Sequence, residues 1–464
     1  MRVTAAGGAG QWRVAAAAGI VLGAAYALSP LTVLVLATLP LFWRWVSRDL
    51  SERERYWLAV VLCAAVAVRL IAIGGLFVTA NASVPYANFF GDEEFFKRRS
   101  VWMRNIGLGV PIAGSDVIYA YDDVGRSLHL YVLAYLQAMV GNAPYGILML
   151  NAAVYAVGAL ALYRLVRPAF GGVAALGGLA LLLFLPSLMT WSISALKEPS
   201  YMCAGALETV AAVALVRSHR IRWRLVSAAV IVACAFVLQG LREGGLAMAL
   251  IGVGGGLAAT AVIRRPRLLL AGLVALPLTI VIAINRPAVE MRIWSAVHES
   301  AAKNWGYINT PGFSYKLLDE RIYADRSNVT TMTPPEMTRF VLSAVGAYVA
   351  VPLPWRIESR AALAYLPEQI LWYGLIALLP IGVWVGLRRD ALITSILTAH
   401  AMAAALMVAL TGGNVGTLVR HRGLALPYVV WLSALGGVEV TRILLARART
   451  PRVGVPQAIP TKVW

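Results

Sequence analysis

Charged residues are scarce in this sequence, and their scarcity excludes an ordinary soluble protein. Of the 464 residues, 14% are Asp, Glu, Lys or Arg, whereas about 25% is usual for a soluble globular domain. Hydrophobic residues make up 60% of the chain. Apolar runs of about 20 residues, the length that crosses a bilayer, recur between short loops that contain Arg, Gly and Pro. The composition therefore predicts an all-α, polytopic membrane protein.

Cysteine and histidine are also rare, with three and five residues respectively. Cys63, Cys203 and Cys234 fall within apolar runs and show no CxxC spacing, so we expect small buried hydrophobic residues and no metal site there. The sequence contains no Walker A, HExxH, GxSxG or convincing Rossmann motif. Nucleotide-dependent and zinc-dependent chemistry therefore have no support in the sequence.

Acidic residues are outnumbered by basic ones, 22 to 41, which gives a net charge of +19. Such a charge can indicate nucleic-acid binding. Here the basic residues are concentrated in short loops between apolar runs, which is the positive-inside pattern of membrane proteins. We therefore predict contact with a lipid bilayer and no nucleic acid. The loops assigned to the cytoplasm are 44–55, 164–167, 217–224, 264–267, 388–389 and the tail from 442.

The apolar runs predict about ten to thirteen transmembrane helices, with interfacial helices in the external loops. They lie near 14–29, 31–45, 57–79, 143–166, 173–192, 200–216, 225–240, 244–262, 268–284, 368–387, 391–411 and 424–441. Two further apolar stretches, 127–141 and 340–352, would upset the alternation of sides if they crossed. We expect them to be interfacial or half-crossing elements that border a cavity open to the outside.

This topology divides the chain into five parts. They are an N-terminal helical hairpin with a cytoplasmic loop (1–56), a transmembrane core (57–284) whose first external loop is 80–126, an external aromatic-rich segment (285–367), C-terminal transmembrane helices (368–441) and a basic cytoplasmic tail (442–464). The first apolar run imitates a secretory signal peptide. An uncleaved hairpin bent at Pro30 is the favoured interpretation, and cleavage is the alternative.

Three consecutive acids, Asp92, Glu93 and Glu94, stand out in the first external loop, with aromatic pairs at 89–90 and 95–96. A carboxylate beside an apolar membrane surface is partly desolvated, which raises its pKa and suits it to take a proton from a hydroxyl. The alternative is a solvated acidic turn. Asp92 and Glu93 are therefore candidate catalytic residues.

Lys197 and Glu198 lie at the predicted outer boundary between two helices. Ionisable residues close to membrane depth are costly and indicate a functional site. The alternative is a plain helix start, with Pro199 in the first turn and Glu198 favourable beside the helix dipole. Glu198 becomes a third catalytic candidate, and Lys197 becomes a candidate for phosphate binding.

Arginines in two glycine-containing external turns oppose the positive-inside bias. One turn contains Arg242, and the other, at 412–422, contains Arg420, His421 and Arg422. Positive charge on the outer side requires an anionic partner. Arginine binds phosphate through a bidentate fork, and backbone N–H groups of a glycine-rich turn can approach an anion. These four residues are therefore predicted to bind phosphate, with lipid headgroups as the alternative ligand.

Four segments resemble the GT-C glycosyltransferases, membrane enzymes that use polyprenyl-phosphate-linked sugars and include protein O-mannosyltransferases and lipid A aminoarabinose transferases. The segments are Asp92-Glu93, 141–151 (GNAPYGILMLN), 163–171 and 184–199. The resemblance implies a GT-C-like fold with a catalytic base in the first external loop, which falls on Asp92 with Glu93 as its neighbour or substitute. A second family acid corresponds to Glu198. The N-terminal hairpin and Glu94 depart from the family pattern.

Together these features predict an inverting glycosyltransferase of bacterial cell-envelope or exopolysaccharide synthesis. It would move a sugar from a polyprenyl-phosphate donor to a hydroxyl of a glycan, lipid or protein, at the periplasmic side of the inner membrane. A divalent cation, Mg²⁺ or Mn²⁺, between Asp92 and the phosphate is compatible with the sequence but is not required. The alternatives are a polymerase or ligase acting on polyprenyl-diphosphate-linked glycans, and a transporter, which would carry charges within its helices.

Overall fold

Helices account for nearly all of the structure. The computed structural model describes residues 8–79, 91–123, 126–141, 144–265, 286–307, 314–355 and 360–449. Within these ranges there is no strand, and the only β-type pairing is an isolated bridge between Ser314 and Asn414. The prediction of an all-α polytopic membrane protein is confirmed.

The predicted transmembrane segments coincide with helices wherever the structure describes them, and the segment predicted at 268–284 lies outside the described residues. The helices are α1 (Gly8–Leu28), α2 (Pro30–Val46), α3 (Glu52–Thr79), α4 (Gly91–Gly107), α5 (Gly114–Ala120), α6 (Leu128–Val140), α7 (Pro144–Phe170), α8 (Gly172–Phe184), α9 (Pro186–Ser192), α10 (Glu198–Arg217), α11 (Ile221–Leu241), α12 (Gly245–Ile263), α13 (Pro287–Gly306), α14 (Glu320–Ala324), α15 (Pro334–Ala350), α16 (Arg360–Arg389), α17 (Ala391–Thr411), α18 (Val415–Arg422) and α19 (Leu426–Arg449).

Eight of the described helices are long and apolar enough to cross a membrane: α3, α7, α10, α11, α12, α16, α17 and α19. Helices α8 and α9, which are bent by 66° relative to each other, make a ninth span if they are counted together. The apolar parts of α1 and α2 are shorter than these spans. The predicted ten to thirteen helices include those two and the segment at 268–284.

Both stretches predicted to be half-crossing are short helices. Helix α6 has 13 residues and is about 20 Å long, less than the roughly 30 Å of bilayer hydrocarbon. Helix α15 has 17 residues, begins at a capping box formed by Thr333 and Glu336, and ends just before Pro352. Neither is long enough to cross the bilayer hydrocarbon without thinning it.

The predicted cytoplasmic loops meet at one end of the helix bundle, which we call the basic end. Ion pairs and hydrogen bonds join four of them. These contacts are Arg167 to Glu54 (2.6 Å), Arg164 Nη1 to the Arg48 carbonyl (2.5 Å), Arg217 to Asp390, and Arg389 Nη1 to the Phe170 carbonyl (2.9 Å). These contacts place the four loops at the same end of the bundle, and the side of the membrane that this end faces stays a prediction.

The break between α8 and α9 is stabilised by charged side chains from other helices. In an unbroken helix the Leu183 carbonyl would accept from the Ser187 N–H. Instead, Arg69 Nη2 donates to the Leu183 carbonyl at 3.0 Å, and the Ser187 N–H donates to Glu368 Oε2 at 2.9 Å. Arg69 Nε also donates to Ser192 Oγ at 2.9 Å. An unsatisfied buried polar group costs about 1–3 kcal/mol, so these contacts stabilise the bend.

The two ends of the bundle are predicted to face opposite sides of the membrane, with the basic end in the cytoplasm. In a variant without native cysteines, Ser218→Cys places a thiol at the basic end, between α10 and α11. Glu320→Cys places one on exposed α14, at the far end. A membrane-impermeant maleimide should label Glu320→Cys in intact cells and Ser218→Cys only after permeabilisation. Labelling of Ser218→Cys in intact cells would contradict this orientation.

Candidate active site

The turn at 193–197, between α9 and α10, is held by side chains from three other helices. Its contacts are Glu93 Oε2 with the Ala195 N–H (2.9 Å), His129 Nε2 with the Ala195 carbonyl (2.9 Å), and Asn151 Nδ2 with the carbonyls of Ser194 (2.6 Å) and Leu196 (3.2 Å). Buried backbone groups outside a helix ladder need such partners. This turn therefore fixes the positions of Lys197 and Glu198, where α10 begins.

Glu93 is a positioning residue rather than an accessible base. Its side chain is fully buried, and besides the Ala195 N–H its carboxylate contacts Lys97, one helical turn further along α4, at 3.7 Å. Burial lowers the pKa of Lys97, an effect that Glu93 opposes. Glu94 faces outward and pairs with Arg98 at 2.8 Å. Of the three consecutive acids, Asp92 alone joins the polar cluster described below.

The acids of the first external loop belong to a helix, not to the acidic turn that the sequence suggested. Three carboxylates in the first turn of α4 suit the positive end of its dipole. Phe96 packs edge-on against His129 at 5.7 Å, and Phe95 packs against Tyr119 at 5.9 Å. Phe96 is therefore buried inside the loop, and Phe95 is partly buried against the same apolar cluster; 89–90 lie outside the described residues.

Six of the eight predicted site residues form one connected group, which we call the arginine cluster: Asp92, Lys197, Glu198, Arg242, Arg420 and His421. Asp92 Oδ2 accepts from Arg420 Nη1 at 2.6 Å. Arg242 Nη2 lies 3.7 Å from Glu198 Oε1 and 3.0 Å from His421 Nε2. Helix α10 runs from this cluster at Glu198 to the basic end at Arg217. The cluster and the basic end therefore lie at opposite ends of the bundle.

Positive charge exceeds negative charge in the arginine cluster. Lys197 has no carboxylate within 4 Å among the described residues, and its pKa is lowered by burial and then by Arg242. His421 Nε2 accepts from Arg242, which requires a neutral ring, and burial together with Arg242, Arg420 and Lys197 holds the pKa of His421 well below its usual value. Within the cluster three cations thus face two carboxylates, Asp92 and Glu198; a third carboxylate near Lys197, that of the exposed Glu243, pairs with Lys303 at 3.9 Å. An additional anion would be stabilised here.

The two carboxylates of the cluster differ in access. The Asp92 side chain is 56% exposed, and one of its oxygens is bound to Arg420. Glu198 is 7% exposed, and its Oε2 is buried without a hydrogen-bond partner among the described residues. Asp92 is therefore the acid that a water-borne hydroxyl can reach, whereas Glu198 faces the interior of the cluster.

Arg422 lies apart from the cluster, although the sequence placed it beside Arg420. It is 3% exposed, donates to the carbonyls of Tyr348 and Val351 and to Gln369 Oε1 (2.6 Å), and stacks 4.8 Å from the Trp372 ring. Burial lowers its pKa to about 10. Successive helical residues point about 100° apart, so Arg420 and Arg422 face different neighbours. We assign Arg422 to positioning α18 rather than to binding phosphate.

The glycine-rich turn before α18 contacts the external segment through its carbonyl groups. Asn304 Nδ2 donates to the Gly412 carbonyl at 2.5 Å, and the Tyr315 N–H donates to the Gly413 carbonyl at 3.1 Å. A Cβ at Gly413 would lie 2.8 Å from Tyr307 Cβ. Glycine is thus required for close packing. The segment between α13 and α15 anchors the start of α18, and α18 carries Arg420 and His421.

The protein side chains at the cluster do not make a metal site of their own. Among the residues that the structure describes, no three His, Cys, Asp or Glu side chains are grouped to hold a metal ion. Asp92 and Glu198 are each turned toward an arginine. A cation between Asp92 and a phosphate would have one ligand from the described residues, the Asp92 carboxylate.

No protein-family model matches the chain, and no curated protein matches it. The resemblance to GT-C glycosyltransferases therefore rests on the short segments of the sequence.

Adjacent acids Asp92 and Glu93 should differ sharply in their effect on stability. Glu93→Ala removes the carboxylate that contacts the Ala195 N–H and Lys97, and disruption of a buried charged pair costs about 3–5 kcal/mol. Asp92→Ala and Glu94→Ala remove exposed carboxylates and should change the unfolding free energy by less than about 1 kcal/mol. Thermal unfolding in detergent measures the difference. Equal stability of Glu93→Ala and Asp92→Ala would contradict the positioning role.

Proposed function

We propose that the protein is a membrane glycosyltransferase that moves a sugar from a polyprenyl-phosphate donor to an acceptor hydroxyl. The observation that carries the proposal is the arginine cluster, in which the exposed carboxylate of Asp92 lies 2.6 Å from the guanidinium of Arg420. Arginine is a side chain that commonly binds phosphate. Both lie at one end of a transmembrane bundle, where a lipid-borne donor and a water-borne acceptor can meet.

The reaction requires a phosphate leaving group and a deprotonated hydroxyl. Arg420, Arg242 and Lys197 would hold the donor phosphate and stabilise its negative charge as the bond between the sugar C1 and the phosphate oxygen breaks. Asp92 would take the proton of the acceptor hydroxyl as that oxygen bonds to C1 from the opposite face, which inverts the anomeric centre. When the phosphate occupies Arg420, the Asp92 carboxylate is released from its ion pair and can bind the acceptor.

The positions of the GT-C-like segments support this proposal. Glu93, Asn151 and the turn at 193–197 belong to three of the four segments, and their side chains and backbone hydrogen-bond to one another. Segments that resemble a family at separate places in the sequence thus build one structural unit beside the cluster. Such convergence is expected of a shared site rather than of unrelated short matches.

The charge pattern supports a location in the inner membrane of a bacterium. The positive-inside bias assigns the basic end to the cytoplasm, which leaves the arginine cluster on the periplasmic side. A donor carried by a lipid and an acceptor hydroxyl of a glycan, lipid or protein in the cell envelope fit that position. This assignment depends on the labelling result predicted for Ser218 and Glu320.

Two alternatives can be distinguished by their ligands. A polymerase or ligase would use the same cations to bind a polyprenyl diphosphate, so preference for diphosphate over monophosphate would favour it. A transporter would carry ionisable residues inside its helices, and Glu208 in α10 and His400 in α17 are such residues. Proton movement through vesicles that contain the protein, without any donor, would favour the transporter.

Arg420 and Arg242 should contribute directly to donor affinity. Loss of a hydrogen bond to a charged group costs about 1.5–3 kcal/mol, which corresponds to about a 10- to 150-fold loss of affinity. Arg420→Met and Arg242→Met should each weaken binding of a short polyprenyl phosphate by that factor in detergent. The control is Arg292→Met, on the exposed face of α13. Native affinity in both cluster variants, with folding intact, would remove the phosphate from this site.

Asp92→Asn should separate catalysis from binding. General-base contributions are about 100- to 10,000-fold, so turnover should fall by that factor. Donor affinity should stay equal or rise, because the neutral side chain no longer competes with phosphate for Arg420. The control is Asp325→Asn. Asp325 is exposed and accepts from the Ser327 N–H, and the amide oxygen of Asn can accept from the same N–H. Transfer of labelled sugar and donor binding are measured on the same preparations; native turnover of Asp92→Asn would refute the base assignment.

A further inference from the structure

A second polar group lies deep within the transmembrane bundle, further along α10 from the Glu198 of the cluster. Glu208 is residue 11 of the 20 in α10, and His400 is residue 10 of the 21 in α17. Both side chains are 0% exposed, and Glu208 Oε2 lies 3.7 Å from His400 Nε2. The midpoints of two spanning helices lie near the bilayer centre, where ionisable groups are costly and indicate function.

The hydrogen-bond pattern determines the protonation of the imidazole. His400 Nδ1 lies 2.9 Å from the Ile396 carbonyl, which can only accept, so Nδ1 carries a hydrogen. His400 Nε2 faces Glu208 Oε2, and neither of these two atoms has a hydrogen-bond partner among the described residues. A lone pair on Nε2 facing an ionised carboxylate would be repulsive. A proton between the two atoms converts that repulsion into a hydrogen bond, after an approach of about 0.5–1 Å.

The charge balance also selects one proton. With one proton the pair is neutral overall, either as carboxylic acid with imidazole or as carboxylate with imidazolium. With none it carries −1, and with two it carries +1, and an uncompensated charge in this apolar setting is strongly disfavoured. The other titratable groups nearby are Tyr428, stacked on His400 at 4.8 Å, and Tyr201 and Cys234. None of these three is a cation, and no described Lys or Arg pairs with Glu208.

The surrounding backbone is shaped to admit these side chains. A Cβ at Gly252 would lie 2.5 Å from His400 Nε2, and a Cβ at Gly205 would lie 2.3 Å from Tyr428 Oη. Gly252 belongs to a π-helical turn, Ile251–Gly255, within α12. Such turns are rare in proteins, and many of those that occur lie at functional sites. Two closely packed glycines and a π-helical turn thus make room for these side chains, which indicates a specific site rather than an incidental buried polar residue.

We propose that Glu208 and His400 together form a proton-binding site at the centre of the membrane, which holds one proton between Glu208 Oε2 and His400 Nε2. The helices that build it lead into the arginine cluster: α10 begins at Glu198, α12 begins just after Arg242, and α17 is followed by α18 with Arg420. Loss of the proton leaves a net negative charge between α10 and α17. With the proton retained, α10 and α17 meet without net charge at this point.

The experiment counts protons on the two groups in lipid nanodiscs over about pH 5 to 8, where an ordinary histidine changes charge. Infrared difference spectra report the protonated carboxylic acid of Glu208, assigned by E208Q. Nitrogen NMR reports His400, assigned by H400Q or, if that variant does not fold, by the signal that moves in E208Q. E208Q is expected to fold, because its amide can donate to Nε2. The exposed His219 is the internal control.

The expected result is a total of one proton on the Glu208 carboxyl and His400 Nε2 at every pH in this range, with the His219 signal measured as the reference. A total of zero or two protons within the range, or a His400 signal that titrates like that of His219, would overturn the proposal. A His400 signal that is identical in wild type and E208Q, with the Glu208 carboxylate ionised throughout, would also overturn it. No donor or acceptor is used, so the result is independent of the proposed transferase activity.

Discussion

Backbone that leaves the helical ladder inside an apolar medium must find side-chain partners, and this constraint shapes the region from α8 to α10. Arg69 and Glu368 satisfy the two backbone groups separated at the break, while Glu93, His129 and Asn151 satisfy the turn at 193–197. Each partner comes from a different helix. The irregular segment therefore fixes the relative positions of α3, α4, α6, α7 and α16.

The candidate site depends on that arrangement. Lys197 and Glu198 follow the satisfied turn directly, and Asp92 precedes Glu93 on α4, so one set of buried hydrogen bonds positions both. Arg420 and His421 lie on α18, and the position of α18 depends on the external segment, which packs against the Gly412–Gly413 turn. Residues that bind or react are thus few, and most nearby polar residues serve to hold them.

Two polar regions share the same helices and differ in what surrounds them. The arginine cluster lies at a bundle end, where its excess positive charge suits an anionic ligand. The Glu208–His400 pair is fully buried at the helix midpoints, where a neutral total charge is favoured. The same residue types therefore differ in access: the Asp92 carboxylate at the bundle end is exposed, whereas the Glu208 carboxylate is enclosed beside His400.

Composition and periodicity by themselves determined the all-α membrane class, the positions of the described apolar helices and the gathering of basic loops at one end, because hydrophobic length and loop charge are local properties. They also identified six residues that the fold brings together. Only the tertiary structure separated Asp92 from Glu93 and Arg420 from Arg422, since neighbouring helical residues face different directions. Glu208 and His400, 192 positions apart, gave no sequence signal, because their significance arises only from contact between α10 and α17.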